Sequence, residues 1–298
     1  MINLDQLRVF QAVAEARSFT GAADAVHLTQ PGVSKHIKQM EEYFGGPLFD
    51  RLGKKVALTQ AGEVLFAATL EIMASITAAE QRIEELKGLR GGKLVLGASF
   101  PIGIYVLPTI LAAFRNQHPA VDVTLDISLS EKILSKILAN KLDLGLVSHE
   151  AHDPKLAAQE FMTDKLIAIA PRSHPWAKTN KKRIRPQELM RETFIVAASG
   201  AGTRAVVEER LKAQGIVLKN VFEFGNTEGV KRAVEAGLGV SIQAQSVVQR
   251  EISAGSLTGV PLAGIDTRLA YFYVRHKDKH LSNASVAFLA LLQTQLEN

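Results

Sequence analysis

The sequence predicts a mixed α plus α/β architecture: a helical N-terminal region with a small β-hairpin, then a long helix, then a two-lobed α/β region. Three observations predict it. Two short helical patterns joined by a tight turn lie between Ser18 and Glu41. An apolar heptad pattern follows, over residues 59–90. From Gly92 onward, strand patterns alternate with helix patterns to the end of the chain, the first helix pattern runs over 101–117, and this order predicts a mostly parallel sheet.

The N-terminal pattern is typical of a helix-turn-helix. Apolar residues at helical spacing over 4–14 predict a first, supporting helix. We expect Thr20 to cap the second helix, because its hydroxyl can accept a hydrogen bond from a first-turn N–H. Pro31 suits the first position of the third helix, where a missing N–H costs nothing. One face of that third helix is apolar, so its other face is available to the DNA major groove.

Polar and basic side chains occupy the exposed face of this third helix, namely Gln30, Ser34, Lys35 and Lys38. Gln30 has the amide geometry for a bidentate contact with adenine. The glycines after Phe44 end the helix, and two short extended pieces around Gly53 predict a winged hairpin with Arg51, Lys54 and Lys55 near its tip. Such cations would meet phosphates or a narrow minor groove.

The long helix carries a repeating apolar seam. Its members alternate at spacings of four and three: Leu65, Thr69, Ile72, Ile76, Ala79, Ile83 and Leu86. This heptad is typical of a coiled coil and predicts a homodimer, which would pair two DNA-binding heads. The alternative is a long amphipathic helix packed on its own domain.

The α/β region places hydroxyl and small residues where strands end and helices begin, which is where such folds bind ligands. Hydroxyls beside helix N–H groups suit a small anion, whereas the alternative role for each is a helix cap. Arg204 could add a charge-assisted contact to such a ligand, and the alternative is that it is an ordinary surface arginine. The predicted effector-binding residues are Ser99, Phe100, Ser128, Ser130, Ser148, Gly202, Thr203, Arg204, Asn226 and Thr227.

Composition excludes several classes of site. The 298 residues contain no cysteine, so disulfides, thiolate metal sites and cysteine nucleophiles are ruled out. Neither a signal peptide nor an apolar run of membrane-spanning length is recognisable, which favours a cytoplasmic protein. No nucleophile elbow or phosphate-loop motif argues for an enzyme, and the run His149–Asp153 is interpreted as a loop rather than a metal site.

The net charge of +5 favours an anionic partner only mildly. Much of the excess lies between Lys178 and Arg185. We interpret this run as a solvated loop, with a DNA or protein contact as the alternative.

An ordered series of N-terminal motifs resembles the LysR-type transcriptional regulators. It comprises Leu7-x-x-Phe10-x-x-Val13-Ala14, Ser18-Phe19-Thr20-x-Ala22-Ala23, Leu28-Thr29-Gln30-Pro31-x-Val33-Ser34, Ile37-x-x-Met40-Glu41, Pro47-Leu48-Phe49-x-Arg51 and Leu58-Thr59-x-Ala61-Gly62. In the C-terminal region, Gly200-x-Gly202-Thr203-Arg204 and Asn226-Thr227-Glu228-x-Val230-Lys231 resemble a subgroup that regulates carbon fixation and sulfur assimilation.

The resemblance implies a homotetramer built from dimers that bends double-stranded promoter DNA, contacts RNA polymerase and responds to a small co-inducer. It implies that Gln30, Pro31 and Ser34 meet base edges, while Thr29, Lys35 and Arg51 lie nearer the backbone or minor groove. The full predicted DNA-binding set is Thr20, Thr29, Gln30, Pro31, Ser34, Lys35, Lys38, Arg51 and Lys54. The subgroup's ligands are small anions or phosphorylated metabolites, and no cofactor or metal is expected.

The predicted domains are a winged helix-turn-helix over residues 1–58, a dimerising linker helix over 59–90 and an effector-binding domain over 91–298. Like periplasmic binding proteins, the last would have two lobes: lobe I over 91–163 plus 267–298, and lobe II over 164–266. The predicted function is a DNA-binding transcriptional regulator modulated by a small anionic metabolite. The rival hypotheses are a solute-binding protein, an enzyme using the cleft and an architectural DNA-binding protein without an effector.

Overall fold

The computed structural model describes residues 2–52, 55–86, 92–179 and 181–294. It divides after Ile83 into two compact units. The first unit contains three helices, a hairpin and most of a long helix. These elements are α1 (Leu4–Ala16), α2 (Phe19–Ala25), α3 (Gln30–Phe44), β1 (Phe49–Leu52), β2 (Lys55–Leu58) and α4 (Gln60–Leu86).

The first three helices enclose one small apolar core. Phe10 and Ile37 are almost fully buried, and the Phe10 ring lies 5.2 Å from that of Phe49 at the start of the hairpin. Val33 and Met40 complete the buried face of α3, which matches the predicted apolar spacing. The opposite face of α3 is therefore left outside the core.

Two helix starts differ from the predicted ones. Ser18, not Thr20, caps α2, because Ser18 keeps an extended backbone and its Oγ accepts from the Gly21 N–H at 3.2 Å. Thr20 is the second residue of the helix, so it follows the cap position instead of occupying it. Helix α3 begins at Gln30, with Thr29 as its cap, so Pro31 is the second helical residue. The missing N–H of proline is equally harmless there.

The hairpin and the long helix α4 follow directly. Strands β1 and β2 pair antiparallel, from Phe49 opposite Leu58 to Leu52 opposite Lys55. The Thr59 hydroxyl accepts from the Gly62 N–H at 3.0 Å and so caps α4. Along the predicted seam, Ile72 and Ile83 are 41% and 58% exposed in the single chain. An apolar face of this kind on a solvated helix is typical of a helix that packs against another helix.

The second unit alternates strands and helices. Its elements are β3 (Gly92–Ser99), a π-helical turn (Ile102–Val106), α5 (Leu107–Gln117), β4 (Val121–Ser128), α6 (Ser130–Leu138), β5 (Leu144–Val147), β6 (Leu156–Pro171), α7 (Pro175–Lys178), α8 (Pro186–Leu189), β7 (Phe194–Ala197), α9 (Gly202–Ala213), β8 (Val221–Phe224), α10 (Thr227–Glu235), β9 (Ser241–Ala244), α11 (Gln245–Ala254), β10 (Leu257–Pro261), β11 (Arg268–His276) and α12 (Asn283–Thr294).

These elements form two lobes that share the long strand β6. In lobe I, the strand order is β6-β11-β5-β3-β4, and α12 packs on α5 through the rings of Phe114 and Phe288. In lobe II, β6 pairs with β10 and β9, and β7 pairs with β8. Residue Lys165 of β6 still pairs with β11, whereas Leu166 already pairs with β9. The chain therefore crosses between the lobes at this point.

The sheets are more mixed than the predicted, mostly parallel arrangement. Strand β3 is parallel to β4 and β5, but β11 and β6 pair antiparallel with their neighbours. Sequence patterns do not indicate the first half of β6, the whole of α11 or strand β10. The predicted single helix over 101–117 is also interrupted, by the π-helical turn at Ile102–Val106.

Within the described residues, no helix combines the length and the apolar character needed to span a membrane.

Candidate functional site

The exposed face of α3 carries the predicted DNA contacts. Gln30, Lys35 and Lys38 are exposed, and Gln30 Nε2 donates to Ser34 Oγ at 3.0 Å. This bond holds both side chains on one ridge of the helix. Lys38 has only a loose pairing with Glu42, at 3.8 Å with both side chains mostly exposed, so its charge remains available to a phosphate.

Four predicted DNA-binding residues have less direct support. Thr29 is exposed, but its Oγ1 accepts from the Gly32 N–H at 3.3 Å, which assigns that oxygen to the helix cap. Thr20 is exposed on α2 rather than on α3. In the hairpin, Arg51 belongs to β1 by its backbone, while its side chain and the whole of Lys54 lie outside the described residues.

A cavity lies between the two lobes of the second unit. Its walls combine the carboxyl ends of β3 and β4 with the N-termini of α6, α9 and α10. All of the predicted effector-binding residues except Ser148 line it: Ser99, Phe100, Ser128, Ser130, Gly202, Thr203, Arg204, Asn226 and Thr227. The structure therefore brings together side chains that are up to 128 positions apart, from Ser99 to Thr227.

Two hydroxyls of this cavity are buried without a protein partner. Ser130 and Thr203 are 0% and 8% exposed, and neither hydroxyl oxygen has a hydrogen-bond partner among the described residues. They belong to the first turns of α6 and α9, whose cap residues, Leu129 and Ala201, offer no side-chain hydrogen bond to these turns. Because buried polar groups are nearly always satisfied, these hydroxyls and N–H groups are suited to a polar ligand.

Ser99 and Ser148 form a second polar pair from lobe I. Their hydroxyl oxygens lie 3.0 Å apart, and both residues are buried. Ser148 is not among the residues that line the cavity, but its bond to Ser99 restrains the orientation of the Ser99 hydroxyl. Asn226 has the alternative role of a helix cap, because its Oδ1 accepts from the Gly229 N–H at 2.8 Å.

Arg204 is held by carboxylates of its own lobe. Its Nε donates to Glu208 at 2.7 Å, and its Nη1 donates to Glu223 at 2.6 Å and to the Ala197 carbonyl at 2.7 Å. These pairings neutralise the guanidinium and occupy two of its nitrogens. A charge-assisted contact between Arg204 and a ligand stays a prediction, and such a ligand would share the guanidinium with these protein partners.

Sequence reasoning missed two polar residues of the cavity wall, Ser241 and Gln243 on β9. Gln243 Nε2 donates to Ser241 Oγ at 3.0 Å, and Ser241 Oγ donates to the Ile195 carbonyl at 2.7 Å. A signal was present, because two polar residues alternate with apolar ones in a fully buried strand.

His149 lies beside this site. Its Nδ1 is buried and has no partner within the described ranges. Burial lowers the pKa of this imidazole, with His152 acting in the same direction and Glu131 opposing it. Residues 149–153 belong to the loop between β5 and β6, and among the described residues no group of three or more histidines and carboxylates is placed to hold a metal ion. The cavity wall is mainly apolar, but it places several hydroxyls beside helix N-termini, which is a chemistry that suits anions.

Two family descriptions match the chain. Residues 4–63 match the bacterial regulatory helix-turn-helix protein of the lysR family, and residues 87–297 match the LysR substrate binding domain.

Curated relatives cover nearly the whole chain. A RuBisCO operon transcriptional regulator of Acidithiobacillus ferrooxidans is 34% identical over 289 residues, covering 97% of this chain and 93% of the relative. A regulator with the same description from Allochromatium vinosum is 33% identical over 287 residues, covering 96% and 94%. The similarity thus extends through both units rather than through the DNA-binding unit alone.

Solved structures show the same fold. Full-length CbnR complexed with its target DNA matches with a TM-score of 0.66 at 20% identity, covering 98% of this chain and 99% of that one. The regulatory domain of Synechocystis PCC6803 CcmR, solved in complex with 2-PG, matches with a TM-score of 0.64 at 28% identity. It covers 70% of this chain and 98% of the CcmR domain.

Proposed function

The chain belongs to the LysR family of bacterial transcriptional regulators, and from this premise we propose that a small phosphorylated carboxylate, bound between its lobes, controls its activity. The family membership makes the protein a DNA-binding transcriptional regulator with an effector-binding domain. The proposal concerns the chemistry of the effector and the residues that hold it.

The proposal rests on the hydroxyls of Ser130 and Thr203, which are buried and have no hydrogen-bond partner among the described residues. One comes from lobe I and the other from lobe II, and each stands in the first turn of a helix without a side-chain cap. A phosphate or carboxylate oxygen accepts hydrogen bonds from hydroxyls and from N–H groups alike, and the positive ends of helices stabilise its charge. An anion in the cavity would therefore satisfy groups that the protein leaves unsatisfied.

The relatives indicate the chemical class of the proposed effector. The CcmR regulatory domain binds 2-PG (2-phosphoglycolate), and the two curated relatives regulate the RuBisCO operon. A molecule with one phosphate and one carboxylate suits a cavity with hydroxyls and helix N-termini on both sides. We therefore take 2-phosphoglycolate as the first candidate effector and other small phosphorylated acids as the next.

The mechanism we propose is a population shift. An effector that contacts both lobes favours the lobe arrangement in which both sets of contacts form. The altered arrangement changes how subunits pair and hence the spacing of DNA-binding heads. The effector is bound and released without reaction, which distinguishes this proposal from an enzyme that uses the same cleft.

On the DNA side, we propose that Gln30 and Ser34 read base edges while Lys35 and Lys38 neutralise phosphates. The exposed seam of α4 supports a homodimer, and the family supports a tetramer made of two such dimers that contacts RNA polymerase at a promoter. Since its target is bacterial DNA, the proposed place of action is the cytoplasm.

The test is a footprint on the DNA upstream of the gene and its neighbours, with and without 2-phosphoglycolate, paired with calorimetry on the same protein. We expect micromolar to millimolar binding of 2-phosphoglycolate and a protected region that shortens or shifts. Inorganic phosphate and glycolate, which each lack one anionic group, serve as controls. Binding that leaves the footprint unchanged contradicts the regulatory proposal, and conversion of 2-phosphoglycolate to a product would favour the enzyme.

A further inference from the structure

A buried lysine joins the two lobes at a point that the effector cavity does not reach. Lys231, on α10 of lobe II, is 2% exposed. Its ammonium group lies 2.9 Å from Glu228, 2.8 Å from Glu251 and 2.8 Å from the hydroxyl of Tyr105. Glu228 and Glu251 belong to lobe II, whereas Tyr105 belongs to the π-helical turn of lobe I.

Tyr105 makes two hydrogen bonds and a ring contact across the boundary between the lobes. Its hydroxyl donates to Glu228 Oε2 at 3.0 Å and accepts from Lys231 Nζ, and Lys231 Nζ lies 4.8 Å from the centre of the Tyr105 ring. Burial raises the pKa of Tyr105, and the pKa of Lys231 is also raised, because its bonds to Glu251, Tyr105 and Glu228 outweigh the effect of burial. At neutral pH both groups are protonated, so the directions of these hydrogen bonds are fixed.

The cluster is connected along the chain to both walls of the effector cavity. Phe100 and Pro101, which line the cavity in lobe I, come just before the π-helical turn that carries Tyr105. Asn226 and Thr227, which line it in lobe II, come just before Glu228. A π-helical turn is uncommon and is often found at functional positions in helices. Here the turn lies between the cavity wall and α5 and carries the tyrosine that bonds to lobe II.

We propose that Tyr105 and Lys231 are positioning residues that hold the two lobes at the angle in which the effector cavity is assembled, an inference that rests on the proposed function for its effect on ligand binding. The acidic pair Glu228 and Glu251 keeps the lysine charged and in place within lobe II. Tyr105 then supplies the bond from lobe I. Because each effector contact needs the lobes at one angle, loosening this bond lowers the population that can bind.

Removal of the Tyr105 hydroxyl distinguishes a positioning role from a general contribution to stability. Lys231 keeps both carboxylates if the tyrosine hydroxyl is removed, so no buried charge is left unpaired. Tyr105→Phe therefore deletes the inter-lobe bonds of the hydroxyl while leaving the ring and the ion pairs. Tyr273→Phe is the matched control, because its hydroxyl bonds to Gln159 on the neighbouring strand of the same lobe.

The experiment uses the full chain. Because the chain contains no cysteine, labels attach only to cysteines that are introduced. Lys155→Cys in lobe I and Lys212→Cys in lobe II are both at exposed positions and accept spin labels. The labelled chain is mixed with an excess of unlabelled chain, so that the measured label–label distance is that within one subunit. Calorimetry with 2-phosphoglycolate is run on the same unlabelled variants.

We expect Tyr105→Phe to broaden or shift the distance distribution and to weaken 2-phosphoglycolate binding about five- to tenfold, while Tyr273→Phe changes neither. An unchanged distance distribution in Tyr105→Phe overturns the positioning role. If the distance changes but 2-phosphoglycolate binds no variant, including the parent chain, the proposed effector is wrong and the contact between the lobes still stands. A thermal melt of each variant verifies that the fold is retained.

Discussion

Gly202 of lobe II faces Ser130 of lobe I so closely that a β-carbon on residue 202 would stand 2.8 Å from Ser130 Oγ and 2.6 Å from His149 Nδ1. Real β-carbons essentially never approach other atoms this closely. The absence of a side chain at residue 202 is thus a condition for the present distance between the lobes. It also keeps two unpartnered polar atoms of lobe I next to the first turn of α9.

We therefore expect Gly202→Ala to force the lobes apart at the cavity and weaken effector binding at least tenfold. Overpacking of this kind costs roughly 1–3 kcal/mol. The measurement is calorimetry with 2-phosphoglycolate. Gly225→Ala is the control, because its added β-carbon has nothing within 4 Å and its φ lies outside the left-handed region. Equal affinity in both variants would contradict a closed lobe arrangement as the binding form.

Ser130→Ala separates a ligand contact from a helix cap. The Ser130 hydroxyl bonds to no described residue, so its removal leaves the melting temperature unchanged or slightly higher. If the hydroxyl donates to an anion, its loss weakens binding about 10- to 100-fold, as expected for a hydrogen bond to a charged group. Ser135→Ala, on the exposed side of the same helix, should leave the affinity unchanged. A destabilised Ser130→Ala protein with normal affinity would favour the structural role.

Lys35→Ala tests whether the exposed face of α3 contacts DNA phosphates. Lys35 is exposed on the face of α3 that also presents Gln30 and Ser34. Each phosphate contact contributes about 0.9 to the slope of log affinity against log salt concentration. We expect the variant to lose a slope of this size, measured by fluorescence anisotropy on the footprinted DNA. Lys219→Ala, an exposed lysine of the second unit, should keep the full slope. An unchanged slope in Lys35→Ala would remove this residue from the interface.

Ile72→Asp tests the α4 seam as a dimer interface. Ile72 is 41% exposed in the single chain and lies on the same helical face as Ile76 and Ile83. A carboxylate buried between two paired helices is strongly unfavourable, so we expect the dimer to dissociate at micromolar concentration. Sedimentation velocity measures this directly. Thr77→Asp places the same charge on the opposite, exposed side of α4 and should not dissociate it.

Part of the cavity wall could be predicted in advance, because its polar residues at the starts of helices have a local signal. Ser99, Ser130 and Thr203 stand where a strand pattern gives way to a helix pattern, and the carboxyl ends of parallel strands meet at one edge of a sheet. Such a prediction needs no knowledge of which residues touch. The DNA-binding face of α3 could be predicted for a similar reason, since its spacing of apolar residues defines the opposite face.

The inter-lobe contacts could not be predicted, because their partners are brought together only by the tertiary fold. Tyr105 and Lys231 are 126 positions apart, and neither lies in an alternating or helical apolar pattern that predicts its partner. Within lobe II, the pairing of Arg204 with Glu223 likewise depends on how α9 packs beside β8, which local spacing does not define. Sequence patterns identify faces, whereas bonds between elements far apart in the chain depend on how those faces are assembled.

The buried imidazole of His149 predicts a pH dependence. Burial lowers its pKa, so the folded chain binds this proton less readily than the unfolded chain does. As the pH falls through the unfolded value of about 6.5, the unfolded state gains a proton that the folded state resists, and stability is lost. Of the charged neighbours, Glu131 opposes the shift and His152 adds to it.

We expect the free energy of unfolding of the second unit to fall between pH 7 and 5, and His149→Gln to reduce that fall. The single tryptophan of the chain, Trp176, is buried in lobe II, so its fluorescence reports urea unfolding of this unit. His280→Gln, at an exposed position, is the control and should keep the parent pH dependence. If both variants retain the same slope against pH, His149 is not the titrating group.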